Sequence, residues 1–207
     1  MMRRLKTVVL VVTAMAFAVV GGVAVASALL PTPPSLVGQE ASEPAGTSFT
    51  LGPVVADPSD GRDWTVRTYP SKTDWTCAEV GRTDGKAFGR TGPDGEIVAL
   101  ELPELGSCAD LAKEKFALWV NYSPASGAEH GSRVAIFGAV STDVVGVTLT
   151  LDGSRKELPV TRGAFLDVLS EPSLAGAVVT VTFADGSTDD TTLRAIPQRN
   201  LTPPTTG

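Results

Sequence analysis

The sequence predicts an all-β protein, an antiparallel β-sandwich of Ig-like type carried behind an N-terminal transmembrane or signal helix. Three observations lead there. Residues 145–160 (VGVTLTLDGSRKELPV) and 178–193 (VVTVTFADGSTDDTTL) each alternate apolar or β-branched residues with polar ones and are each broken by Asp-Gly. Val147, Leu149 and Leu151 oppose Thr148 and Thr150, and Val179, Val181 and Phe183 oppose Thr180 and Thr182, the period of two of a half-buried strand. Asp-Gly suits a type I′ turn, whose two central residues need positive φ, so both stretches are expected as hairpins of one design. Apolar faces of this kind are covered most simply by packing one sheet on another.

The N-terminus comes first in chain order. Arg3, Arg4 and Lys6 precede an uncharged run over residues 7–30. At about 1.5 Å per helical residue such a run spans a hydrocarbon core of about 30 Å. Residues 1–30 are therefore expected to be a signal-anchor or signal peptide with the basic flank on the cytoplasmic side. The run is longer than an ordinary signal core, which favours the uncleaved anchor. The small residues of Ala24-Val25-Ala26 and Ala26-Ser27-Ala28 keep cleavage open as the alternative. Residues 31–48 are rich in Pro, Ser, Gly and Glu without an apolar period and read as a stalk.

Residues 49–124 read as a disulfide-containing β subdomain. Trp64, Val66 and Thr68 alternate with Thr65, Arg67 and Tyr69, a polar turn follows at 71–73, and a second strand carries Cys77. Turns at Asp84-Gly85 and Pro93-Asp94-Gly95 continue the meander into a strand over 96–102. After Cys108, a short helical turn gives way to a strand over 116–122, because FALWVNY is aromatic and β-branched. Residues 131–196 read as a hairpin subdomain. It opens on the strand RVAIFGAV and holds a further strand around 165–169 between the two Asp-Gly hairpins. The two segments fold as one unit or as two small ones, and residues 197–207 form a tail.

The order in which Phe137-Gly138 leads to VVGVTLTLDGSRKELPV, then GAFLDVL, then VVTVTFADGSTDD resembles a β-sandwich module of exported actinobacterial proteins. The first half, with a Trp-bearing strand, a Cys, a Gly-rich meander and a second Cys, is similar to the segment that often precedes that module. The resemblance implies export and a β-sandwich, and it carries over no catalytic or ligand residue.

Charge and cysteines bound the function. Without residues 1–30 the chain holds 14 Lys and Arg against 23 Asp and Glu, a net of −9. So acidic a domain repels nucleic acid and anionic lipid, and no nucleic-acid partner is expected. Cys77 and Cys108 are the two cysteines, and in an oxidising compartment they are expected to form a disulfide.

Candidate chemistry is thin. His130, the single histidine, sits between Glu129 and Gly131 in a loop, where neighbours in sequence do not make a nucleophilic relay. Asp57, Asp60 and Asp63 offer oxygens to calcium at a spacing unlike an EF-hand, and read as turn formers. Asp185, Asp189 and Asp190 read as solvated charges on a sheet rim. Arg82, Lys86 and Arg90 suggest a weakly cationic loop face. No catalytic, cofactor-binding or metal residue is assigned. The expected role is a non-enzymatic ectodomain, tethered through residues 7–30 or secreted, that binds a protein or cell-envelope component. An extracytoplasmic small-ligand sensor and a secreted hydrolase are the alternatives.

Overall fold

The computed structural model describes residues 43–103, 106–123, 131–170 and 174–193. The expected membrane segment, most of the stalk, His130 and the tail lie outside the described residues. Among the described residues no helix is long and apolar enough to cross a membrane.

The chain is all-β, and its strands pair antiparallel throughout. The first sheet is built from β1 (Thr50–Val55), β2 (Asp63–Pro70), β3 (Thr76–Thr83), β4 (Phe88–Thr91) and β5 (Ile97–Ala99) in that order, with β6 (Ser107–Ala109) paired to β3. A single helical turn, α1 (Leu111–Glu114), leads into β7 (Phe116–Ser123), and Lys115 ends it in the left-handed conformation. The second sheet is β11-β8-β7, with β8 spanning Arg133–Val140 and β11 spanning Ala164–Ser170. The third sheet is β10-β9-β12-β13, formed by Ser154–Leu158, Val144–Leu151, Val178–Phe183 and Thr188–Thr192 respectively.

The β11-β8-β7 sheet lies in the middle, and both of its faces are covered. Val134 and Ile136 of β8 and Phe165 of β11 join Val147, Leu149, Val179 and Val181 of the third sheet in one core. Ala135 and Phe137 of β8, with Ala164, Leu166 and Val168 of β11, meet Trp64, Val66 and Ala78 of the first sheet in a second core. Every residue of β8 is consequently buried. That is why RVAIFGAV reads as a nearly continuous apolar run and not as an alternating one. The close approach on β8 also explains Gly138, where a Cβ would run into the Ala117 carbonyl and the Phe165 ring.

β7 closes the short helical turn as expected, and it pairs along its whole length with β8, from Phe116 opposite Val140 to Ser123 opposite Arg133. The middle sheet is thus shared between segment 49–124 and segment 131–196. The described residues fall in one compact unit.

The hairpins differ in detail from a single design. Asp152 (φ 48°) and Gly153 (φ 76°) both have positive φ, as a two-residue type I′ turn requires. At the second hairpin only Gly186 is left-handed, the Gly186 amide donates to the Phe183 carbonyl at 2.9 Å, and the Phe183 amide donates to the Ser187 carbonyl at 2.9 Å. This is a three-residue loop, a turn closed by one left-handed glycine. The strand expected over 96–102 is shorter, because the chain leaves β5 after Ala99 to lay Leu100 and Leu102 over Arg67.

Candidate functional site

Two charged clusters are built between and beside the layers. The first centres on Asp57, in the loop between β1 and β2. Arg82, at the end of β3, donates from Nη1 to Asp57 Oδ2 at 2.6 Å. Arg133, the first residue of β8, donates from Nη2 to Oδ1 at 2.9 Å and from Nε to both oxygens at 3.1 Å. The Trp64 indole N–H reaches Oδ2 at 2.9 Å and the Ser59 amide reaches Oδ1 at 2.9 Å. The Asp57 side chain is fully enclosed, the two arginine side chains are 2–4% exposed, and the Arg82 guanidinium lies 3.6 Å from the Trp64 ring centroid. Burial pushes the Asp57 carboxyl up, but the bonds from Arg133, Arg82, Trp64 and Ser59 outweigh it and hold the group well below the usual carboxylate range. The cluster joins the first sheet to the middle one.

The second cluster lies on the far face of the first sheet. Arg67, fully enclosed, donates to Glu79 Oε2 from Nε at 3.0 Å and from Nη2 at 2.8 Å. Two more of its N–H groups go to the Leu100 and Leu102 carbonyls, each at 2.7 Å, and the guanidinium carbon lies 4.2 Å from the Phe88 ring centroid. Beside it the Cys77–Cys108 disulfide links β3 to β6, whose cysteines are directly opposite in the ladder. A third pair spans the sandwich: Lys156 on β10 donates to Asp167 on β11 at 2.6 Å, and the carboxylate is 1% exposed.

The residues named from sequence are spread apart. Cys77 and Cys108 are bonded as expected. Asp57, Asp60 and Asp63 do not converge: Asp57 turns inward to the arginines, Asp60 takes a left-handed turn position at φ 58°, and Asp63 begins β2 exposed. Among the described residues no group of three or more His, Cys, Asp or Glu stands close enough to hold a metal ion. Arg82 is buried against Asp57, so it does not share a loop face with exposed Lys86 and Arg90. Asp189 and Asp190 are exposed on β13, with Asp190 accepting from the Thr180 hydroxyl at 2.7 Å, and Asp185 caps its own turn through Ser187. Sequence reasoning missed Arg133, Arg67, Glu79 and Asp167 as buried charges. One signal was legible: Arg133 heads the most apolar strand of the chain, a place where a charge needs a partner.

What the arrangement can do chemically is limited by its closure. Both Asp57 oxygens and all the donors around them face one another, which fixes the layers and leaves no lone pair directed outward. Among the described residues, exposed side chains lie on turns and on strands such as β10 and β13. No family model, curated protein or solved structure matches the chain.

Proposed function

We propose that the chain is an exported, non-enzymatic Ig-like ectodomain, tethered through residues 7–30 or released by cleavage, that binds a protein or another component of the cell envelope. The observation that carries this reading is the closed state of the charged clusters. Among the described residues, Asp57, Arg82 and Arg133 are consumed in buried ion pairs that hold the first sheet to the middle one, and Arg67 and Glu79 in a buried pair within the first sheet. Contact surfaces are what the molecule has to offer.

Strand order supports the Ig-like part. Counting from β7, the first, second and fifth strands share one sheet and the fourth, third, sixth and seventh share the other, a Greek-key arrangement of seven strands. The first sheet then acts as a cover on the face of β11-β8-β7 that an isolated sandwich would leave to solvent. Export is supported by the basic flank and uncharged run of the sequence and by the disulfide.

The test is a turnover screen run beside a binding assay on the purified full chain with peptidoglycan, envelope polysaccharide and ester substrates. The expected result is binding without product. Turnover that disappears in His130→Ala or in a paired carboxylate variant contradicts the proposal.

A further inference from the structure

We infer that the outer edge of β7 is a self-association surface, on which a second copy of this chain adds its own β7 antiparallel across a two-fold axis. Exposed strand edges are templates for pairing, and folded proteins blunt them with charges, proline, bulges, short length or cover. The other described edges show those devices. β5 and β6 have three residues each. β1 carries Pro53 and a register shift between Leu51 and Val54. β10 presents Arg155, Lys156 and Glu157, and β13 presents Asp189 and Asp190. β11 carries Asp167 and lies against β1, where a Cβ at Gly52 would stand 3.0 Å from the Ala164 Cβ.

Among the described residues β7 shows none of them. Its eight residues, FALWVNYS, include no charge and no proline, and they pair with β8 without a register break. Among the described residues no strand pairs with its other side. Asn121 and Tyr122 are exposed there, Tyr122 by 45%.

A second copy fits this edge for two reasons. The part of the chain after residue 30 has a net charge of −9, so two copies repel wherever carboxylates meet. β7 is the longest of the described edges, and none of its residues is a carboxylate that a second copy would bring against its own. The strand is also self-complementary. A two-fold axis perpendicular to the sheet keeps each core on its own side and places residues of equal parity opposite one another. Centred on Val120, it sets Val120 opposite its own copy, Leu118 opposite Tyr122 and Trp119 opposite Asn121, of which the first two are apolar or aromatic pairs of the kind that stabilise neighbouring strands. The two middle sheets then form one continuous sheet, joined by up to about eight backbone hydrogen bonds. This inference does not rest on the binding role proposed above.

Sedimentation equilibrium of the full chain in non-ionic detergent tests it. The wild type is expected to dimerise with rising concentration, the Asn121→Lys, Tyr122→Lys double variant to associate at least tenfold more weakly at unchanged melting temperature, and Val145→Lys, at an exposed site on β9, to match wild type. Hydrogen exchange on the wild type alone gives a readout that no variant can confound: β7 amides gain protection as concentration rises. A chain that stays monomeric up to about 0.1 mM overturns the inference. So does a dimer that the double variant leaves intact, or β7 protection that depends on an envelope component and not on concentration.

Discussion

Asp57 is where single side chains matter most. It stands between two buried guanidinium groups, and removing it leaves both without their counter-charge. Asp57→Ala is expected to destabilise the fold by about 3–5 kcal/mol, read as a shift of the urea midpoint. The same carboxylate sets an acid dependence. Its folded-state pKa is depressed, so its contribution is fully present above the ordinary carboxylate range, near 3.9, and is lost as pH falls from there toward the folded value. Stability should therefore drop steadily below about pH 4, and this slope should flatten in Asp57→Asn when urea midpoints are followed from neutral to acid pH. None of this was legible in the sequence, where Asp57 stands with Asp60 and Asp63 in a turn-like run. Its partners Arg82 and Arg133 are 25 and 76 residues away, and no local pattern links charges so far apart. Arg67 was hidden for a related reason: alternation gives its face of β2, but it cannot show that residues 100–102 return to cover that face.

At the scale of elements the hairpins were the most readable part, because their period and turn residues are local. Leu149 and Val181 are buried in the core between the second and third sheets, and truncating either to alanine should cost about 2–4 kcal/mol. Thr180 is half-buried and Thr180→Ala should cost far less, whereas Thr148 is only 6% exposed and accepts from Arg155 at 3.4 Å, so the two threonines are not equivalent. Chemical denaturation of the four variants gives the order directly. β8 was recognised as a strand, but its buried charge and two-sided burial follow from a layer supplied by the other half of the chain. Gly138→Ala tests that crowding: with the Ala117 carbonyl and the Phe165 ring against the new methyl, the expected loss is about 1–3 kcal/mol. The split of the second hairpin from the first was not legible, since Asp-Gly is compatible with both a two-residue turn and the last two positions of a three-residue one.

At the scale of the described residues as a whole, three stacked sheets are held by two apolar cores and an interlayer ion cluster, and one disulfide ties β6 to β3 within the first sheet. The all-β class and the cysteine pair were readable because composition, periodicity and compartment chemistry carry them. The sharing of the middle sheet was not, because the sequence leading from β7 to β8, SPASGAEHGS, reads as a boundary. Reducing Cys77–Cys108 should lower stability by about 3–4 kcal/mol in the chain-entropy account, and thiol alkylation of the native, unreduced chain should label neither residue. The broader proposal is that the chain is exported and works through its surface and not through bond chemistry. Saturable binding of the purified full chain to isolated cell envelopes measures that most directly. The account predicts a saturable isotherm, unchanged in His130→Ala, with no soluble product released from the envelope. Binding that never saturates, or release of product that His130→Ala abolishes, contradicts it.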